Sequence, residues 1–230
     1  MQQLGKQLNL DENVHIAALK YYSKRSVEVF KLWEKVFAGS DRLVKLLSAP
    51  VDNVASGRII LEHQNAYRAA NALAIAPAFA TTGQAIDTIT STHDVFGALA
   101  SAQNPKSISR LEQRITELAA LATSKGLSLM SYSGGQTINR TQLANMTRST
   151  AYHLNAANRD SRMAREFYRF LKNWKNAGGT LFVTGTSAAS LQAQPSLGIK
   201  EYINQPNSET PKYQALLAFK RGERCWWSGC

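Results

Sequence analysis

Apolar residues recur at helical spacing in several segments of the chain, and these segments predict helices. In residues 11–39 such positions fall three or four apart, which is the spacing of one helix face. They are Ile16, Leu19, Tyr22, Val29, Leu32, Trp33 and Val36. Asp11 is expected to cap this helix and Gly39 to end it. Further helices are predicted over residues 56–70, 82–102, 107–126, 161–179 and 208–222, the last with Ser208 as its N-cap.

Four short apolar runs separate these helices and predict strands. They cover residues 41–50, 71–79, 127–132 and 180–186. Short strands that are apolar throughout and alternate with helices indicate parallel pairing through crossover helices. The predicted fold class is therefore α/β, with four parallel strands alternating with helices.

Length and composition are those of an ordered globular protein. The 230 residues suit one large domain or two small ones, and 44% are hydrophobic while 19% are charged. No apolar run approaches the eighteen or so residues that span a bilayer, and the first residues lack the layout of a signal peptide. Neither a GxGxxG nor a GxxxxGK[ST] motif is present.

The net charge of +11 permits nucleic acid, an anionic surface or an acidic partner. The basic residues are, however, scattered among acids and apolar positions, and no basic run alternates with aromatic residues as in a single-strand platform. We therefore do not expect specific nucleic-acid binding.

Both cysteines lie in the last six residues, CWWSGC. Cys225 and Cys230 are candidates for a small disulfide loop in an oxidising compartment. Trp226 and Trp227 are adjacent and cannot both face one core, so at least one is expected to contact solvent or a partner. Two cysteines are too few for a structural zinc site, the four histidines are far apart, and no metal site is expected.

Five collinear blocks resemble the C-terminal half of TIM-barrel glycoside hydrolase-like proteins, some of which are labelled cellulose-binding proteins. The blocks include KYYSKRSVEVFKLWEKVFAGSDRLVKLLSA, NALAIAPAF and GLSLMSYSGGQ, followed by NAANRDSRMAREFYRFLKNWKNAGGTLFV and GIKEYINQPNSETPKYQALLAF. The resemblance implies an incomplete (β/α)8 barrel, in which the four strands are the fifth to the eighth. The half-barrel domain would cover residues 1–221, with residues 222–230 as a C-terminal tail.

The resemblance also implies that the catalytic carboxylates are missing. In the family pattern Tyr-Glu-Gly-Gly-Gln a carboxylate follows the seventh strand, and here Ser133 occupies its place. The acid/base glutamate of the family would lie upstream of Met1, and Leu197 stands where the family has a tryptophan. Glycoside hydrolysis needs two carboxyl groups, so no catalytic residue and no cofactor are expected.

Some polar residues near the predicted strand ends have alternative interpretations. Ser133 either lines a relic pocket or is a turn hydroxyl, and Gly134–Gly135 is most simply a tight turn. The resemblance places Glu201 in a structural Glu-Tyr pair, so catalysis by it is not expected. Asn158, Arg159 and Asp160 are expected to form a helix entry, with Asp160 as the cap and Arg159 in an ion pair.

A retained ligand site is expected where the strands end, because barrel sites form at the carboxyl ends of strands. Its candidate residues are Ala49, Ala78, Ser133, Gln136 and Thr184. Carbohydrate is the candidate ligand.

Four parallel strands cannot close a barrel, which takes eight. An open sheet is expected to expose edge strands and an apolar inner face at Leu46, Ile75, Leu129 and Phe182. The expected function is thus a non-catalytic binding or assembly subunit that self-associates or joins other subunits.

Two alternatives remain open: a carbohydrate-binding protein, and an active glycosidase completed by a missing N-terminal half. The compartment also stays open. The resemblance and the tail cysteines favour an extracellular location or a large assembly.

Overall fold

The structure is a computed structural model that describes residues 1–39, 41–82, 84–137, 146–190 and 196–228, with only the backbone described at residues 84 and 85. It divides into two compact units. The first comprises Met1–Ala76 and Thr116–Met130, and the second comprises Pro77–Ile115 and Ser131–Cys230. The sequence had predicted a single domain over residues 1–221 with a short tail.

The fold class is α/β, with helices alternating with a parallel sheet, as the spacing of apolar residues predicted. The predicted strand over residues 71–79 is two strands, so the described part of the chain has five strands instead of four. The described strands are β1 Leu46–Ser48, β2 Ala72–Ile75, β3 Ala78–Phe79, β4 Ser128–Gln136 and β5 Gly179–Thr184. They are ordered β1-β2-β4-β3, and β5 also pairs with β4. Parallel register is set by Leu47 opposite Leu73 and by Ala78 opposite Gly135. This arrangement is compatible with part of a barrel.

The helices of the first unit lie near the predicted positions, with different ends, except the first of them, which was not predicted. They are α1 Gln2–Gln7, α2 Val14–Phe37, α3 Val54–Glu62 and the last part of α6, which spans Ile108–Ser124 and starts in the second unit. The N-cap of α2 is Asn13, whose side-chain oxygen accepts from the N–H groups of His15 and Ile16. The cap predicted at Asp11 was wrong, because that carboxylate instead pairs with Lys20 at 2.7 Å.

Helix α3 ends earlier than predicted. The chain continues as a 3-10 segment, His63–Ala69, in which Gln64 and Asn65 have φ values of 51° and 56°. An α-helix cannot pass through two consecutive left-handed residues. The predicted helix over residues 56–70 therefore covers α3 and this kinked segment.

The second unit holds the remaining helices that the structure describes. They are α4 Gln84–Asp87, α5 Thr92–Ala100, the start of α6, α7 Arg148–Arg159, α8 Ser161–Asn176 and α9 Pro211–Gly222. Helix α7 was not predicted. Ser208, the predicted cap of the last helix, lies in a 3-10 turn, Asn207–Glu209, and α9 begins at Pro211 after Thr210.

An aromatic cluster joins strands and helix in the core of the second unit. Phe170 of α8 packs edge-to-face against Phe79 of β3 and Phe182 of β5, with ring centroids 5.2 and 5.5 Å apart. Phe182 also packs against Trp174 at 5.4 Å. Such pairs each contribute about 0.5–1.5 kcal/mol beyond the area they bury. They hold α8 against one face of the strands.

None of the described helices combines the length and the apolar character that crossing a membrane requires.

Candidate functional site

Of the candidate ligand residues of the second unit, Gln136 and Thr184 are the last residues of β4 and β5, whereas Ala78 begins β3 and Ser133 lies within β4, three residues before its end. Ala78 lies in β3 opposite Gly135. Ser133 lies in β4, and an added Cβ at Gly185 would come within 3.0 Å of its hydroxyl oxygen. Because Gly185 follows Thr184 directly, Ser133 and Thr184 are close in space. Ala49 follows β1 in the first unit, where its N–H donates to the carbonyl of Ala74 at 3.0 Å.

The two glycines after Ser133 continue the strand rather than forming a tight turn. Gly134 lies against the ring of Phe182, since an added Cβ would be 2.4 Å from the nearest ring carbon. Gly135 has a φ of +130°, which side-chain-bearing residues rarely adopt. Its N–H donates to the carbonyl of Pro77 at 3.0 Å. The turn interpretation of this pair was therefore wrong.

Gln136 closes β4 and is only 6% exposed. It pairs in register with Phe79. Its Oε1 is buried without a hydrogen-bond partner among the residues that the structure describes. A buried amide oxygen of this kind costs about 1–3 kcal/mol when left unsatisfied, so it is a suitable acceptor for a ligand hydroxyl or a water.

Thr184 lines a cavity that we call the β5 cavity. The chain leaving β5 forms an isolated parallel bridge between Ala188 and Lys200, and α9 lies on the other side. The cavity has a volume of about 220 Å³. Its lining residues are Thr184, Ser187, Ala188, Ile199, Lys200, Ile203, Tyr213 and Leu216.

Glu201, the acid nearest to the end of β5 in the sequence, is held in an ion pair. Arg159 donates from Nε and Nη2 to its two carboxylate oxygens at 2.6 and 2.7 Å. This guanidinium lowers the pKa of Glu201. Asp160 caps α8 by accepting from the N–H of Arg162 at 2.8 Å. The predicted cap at Asp160 and the predicted ion pair of Arg159 are thus observed, but Asn158 and Arg159 end α7 rather than forming a helix entry.

A second acidic residue, Glu223, binds the tail to α8. Its carboxylate accepts from Lys172 and Lys175 at 2.8 Å each and from the hydroxyl of Tyr168 at 3.0 Å. These three donors lower the pKa of Glu223 to about 2.

The two tryptophans of the tail are both half-buried. The indole N–H of Trp226 donates to the carbonyl of Gly179 at 2.7 Å, and its ring packs against Phe219 at 5.8 Å. Trp226 thus packs against residues of its own unit. The predicted pairing of Cys225 with Cys230 involves residue 230, which lies outside the described residues.

One face of the β4–β5 pair carries exposed apolar side chains, and we call it the open face. It is defined by Tyr132, Leu181 and Val183, which are 53%, 44% and 43% exposed. Ser131 is fully buried on the side where Phe182 meets α8. Leu181 and Val183 alternate with Phe182 along β5 and so point to the other side. Tyr132 follows the buried Ser131 and is exposed as they are.

The predicted exposure of Ile75 and Leu129 was wrong, and Phe182 lies on the face that meets a helix. Phe182 packs against α8, while Ile75 and Leu129 are 0% and 2% exposed. An exposed apolar face is present, but in β5 it is formed by Leu181 and Val183, the neighbours of the predicted Phe182.

Reasoning from sequence missed Lys212, which is 2% exposed. Its Nζ donates to the carbonyls of Ser196 and Gly198 at 2.6 and 2.9 Å. Burial lowers its pKa to about 7. Nothing in the helical pattern of residues 208–222 marks this lysine as buried.

Metal ligands are not clustered in the described ranges, where no group of three or more His, Cys, Asp or Glu side chains could hold an ion.

Comparison with known proteins gives no match: no protein-family model, no curated protein and no solved structure matches the chain. The resemblance to glycoside hydrolase-like barrels therefore stays a prediction from the sequence.

Proposed function

We propose that the chain is a non-catalytic half-barrel, derived from a glycoside hydrolase-like protein, that serves as a binding or assembly subunit. The observation that carries this proposal is the open face at Tyr132, Leu181 and Val183. Its partner is another protein surface, supplied by a second copy of the chain or by a different subunit.

In the proposed half-barrel, the open face corresponds to the side of the strands that a complete barrel would enclose. In a (β/α)8 barrel the side chains of each strand point alternately to the helix layer and to the packed interior. Phe182 points to the helix layer, so Leu181 and Val183 correspond to interior positions. Covering the exposed part of each side chain would contribute about 1 kcal/mol, since full burial contributes about 1.5–3 kcal/mol.

Two further observations support a role without catalysis. Ser133 brings a hydroxyl, not a carboxylate, to the end of β4. Glu201 is engaged by Arg159 through both carboxylate oxygens, so it is poorly placed to protonate or attack a substrate. Losing a group that acts only in the transition state typically costs several powers of ten in rate.

The proposal is tested by removing apolar surface from the open face. The double variant Leu181→Thr/Val183→Thr keeps residues that favour strands. The matched control is Leu32→Gln/Val36→Gln on α2, where the two side chains are 54% and 72% exposed. We expect the first double variant to weaken association in sedimentation equilibrium and the second to leave it unchanged. Equal association of both double variants and the original chain would overturn the proposal.

Absence of catalysis is tested separately. Assays over a panel of aryl glycosides and polysaccharides should show no turnover above that of Ser133→Ala. Turnover that disappears in Ser133→Ala would instead favour the active-glycosidase alternative.

A further inference from the structure

The β5 cavity carries a charge that the proposed assembly role does not use. Lys200 is half-buried in its lining, and no carboxylate in the described part of the chain pairs with it. The other lysines with half-buried side chains near acids, such as Lys20 and Lys175, do form ion pairs. A half-buried ammonium group without a counter-charge favours an anion beside it.

Three contacts hold the ammonium group of Lys200 in place. Its Nζ donates to the carbonyl of Gln205 at 2.9 Å and to Oδ1 of Asn207 at 2.8 Å. The same atom lies 4.5 Å from the ring centroid of Tyr213. An ammonium group has three N–H donors. Two of them make these hydrogen bonds, and the ring of Tyr213, which also lines the cavity, lies beside the group. A ligand would thus meet an oriented cation rather than a mobile side chain.

Two hydroxyl groups share the lining with this cation. Thr184 lies at the end of β5 and Ser187 three residues later. Neither side chain forms a hydrogen bond within the ranges that the structure describes. Hydroxyl groups that have no protein partner are able to donate to a carboxylate oxygen.

The remaining walls are apolar and the volume is small. Ile199, Ile203 and Leu216 contribute aliphatic side chains beside the ring of Tyr213. A volume of about 220 Å³ is roughly that of seven molecules in liquid water, so only a small ligand fits. Apolar walls with a few convergent polar groups are typical of small-molecule sites.

We propose that the β5 cavity binds a small organic carboxylate with a compact apolar body, whose carboxylate lies on the Lys200 ammonium group and whose apolar part packs against Ile199, Leu216 and Tyr213. The site does not include the residues of the open face, so this proposal is tested separately from the assembly role.

Benzoate is the probe, and benzamide is its neutral counterpart of the same shape. In a ¹H–¹⁵N NMR titration, benzoate should shift the amide signals of residues 184–188, 199–203 and 213–216. Benzamide should bind roughly tenfold more weakly or worse, because a hydrogen bond to a charged group contributes about 1.5–3 kcal/mol and 1.4 kcal/mol corresponds to a factor of ten. Equal binding of the two probes, or no shift in these three segments, would overturn the proposal.

Two variants separate this site from general attraction to a basic protein. Lys200→Met should weaken benzoate binding roughly tenfold. Lys220→Met removes the same charge from an exposed position of α9 and should leave binding unchanged. Equal losses in both variants would contradict a specific site. Leu216→Trp fills the cavity and should abolish binding, so retained binding in this variant would also contradict the proposal.

Discussion

Replacing Gly134 with alanine is expected to destabilise the second unit, because the ring of Phe182 occupies the space of a Cβ. The added Cβ would lie 2.4 Å from the nearest ring carbon, whereas ordinary contact begins near 3.4 Å. The ring would have to move by about 1 Å, the difference between these distances. That movement would disturb its edge-to-face contacts with Phe170 and Trp174.

The magnitude follows from these contacts. Two aromatic contacts at about 0.5–1.5 kcal/mol each place the loss at roughly 1–3 kcal/mol, which is also the usual cost of overpacking. Replacing glycine with alanine also restricts the unfolded chain, which by itself stabilises the folded protein by about 0.4–1 kcal/mol. The expected net loss in the free energy of unfolding is therefore about 0.5–2 kcal/mol, measured by urea denaturation.

A control and a double variant sharpen this test. Gly97→Ala, in α5, has no heavy atom within 4 Å of the new Cβ and should stabilise the protein by about 0.5–1 kcal/mol. Gly134→Ala combined with Phe182→Leu should lose less stability than the sum of the two single variants. A Gly134→Ala protein as stable as the original would refute the packing argument.

Three further predictions concern charged groups. The pKa of Glu223 is about 2 in the folded protein. The stability that its carboxylate contributes is therefore present above about pH 4.5 and lost as the pH falls towards 2. Tryptophan emission should report the release of Trp226 over this pH range, and Glu223→Gln should lack this transition. Burial lowers the pKa of Lys212 to about 7, so between about pH 7 and 10.5 the unfolded chain binds more protons than the folded one. The free energy of unfolding should therefore rise with pH in this window, by at most about 1.4 kcal/mol per pH unit. Urea denaturation measures this rise, and Lys212→Met should remove it. Arg159→Met should cost at most about 1 kcal/mol in the same assay, because the Arg159 side chain is 61% exposed.

Each charge prediction has a result that contradicts it. Identical acid transitions in Glu223→Gln and the original protein would mean that the tail is held by other contacts. A pH-independent stability between pH 7 and 10.5 would mean that Lys212 keeps its charge in the folded state. A loss well above 1 kcal/mol in Arg159→Met would make its pair with Glu201 a main support of the second unit.

The helices that carry several large apolar residues could be predicted, whereas α1 and α7, which carry few, could not. Helix α8 buries Met163, Phe167, Phe170 and Trp174 at helical spacing, and it was predicted. Helix α7 reads RSTAYHLNAANR, where Leu154 is the single large apolar side chain that is buried. Its polar residues are common in loops as well, so tertiary packing decides its structure.

The face of β5 could not be assigned from sequence alone. The strand TLFV is apolar on both faces, so alternation does not tell which face meets the helices. That choice depends on the contacts of Phe182 with Phe170 and Trp174, which join residues distant in sequence. The end of β4 was predicted at Tyr132, four residues before its observed end at Gln136. The β5 cavity also needs Lys200 and Tyr213, which come from segments without a motif.

Light scattering on the purified chain at micromolar concentration, in low and in high salt, tests the assembly role most directly. Contact through Tyr132, Leu181 and Val183 is apolar, so it should persist when salt screens the net charge of +11. The predicted result is a discrete mass above that of one chain at both salt concentrations. A stable monomer at both, or association that disappears in high salt, would contradict an assembly role for the open face.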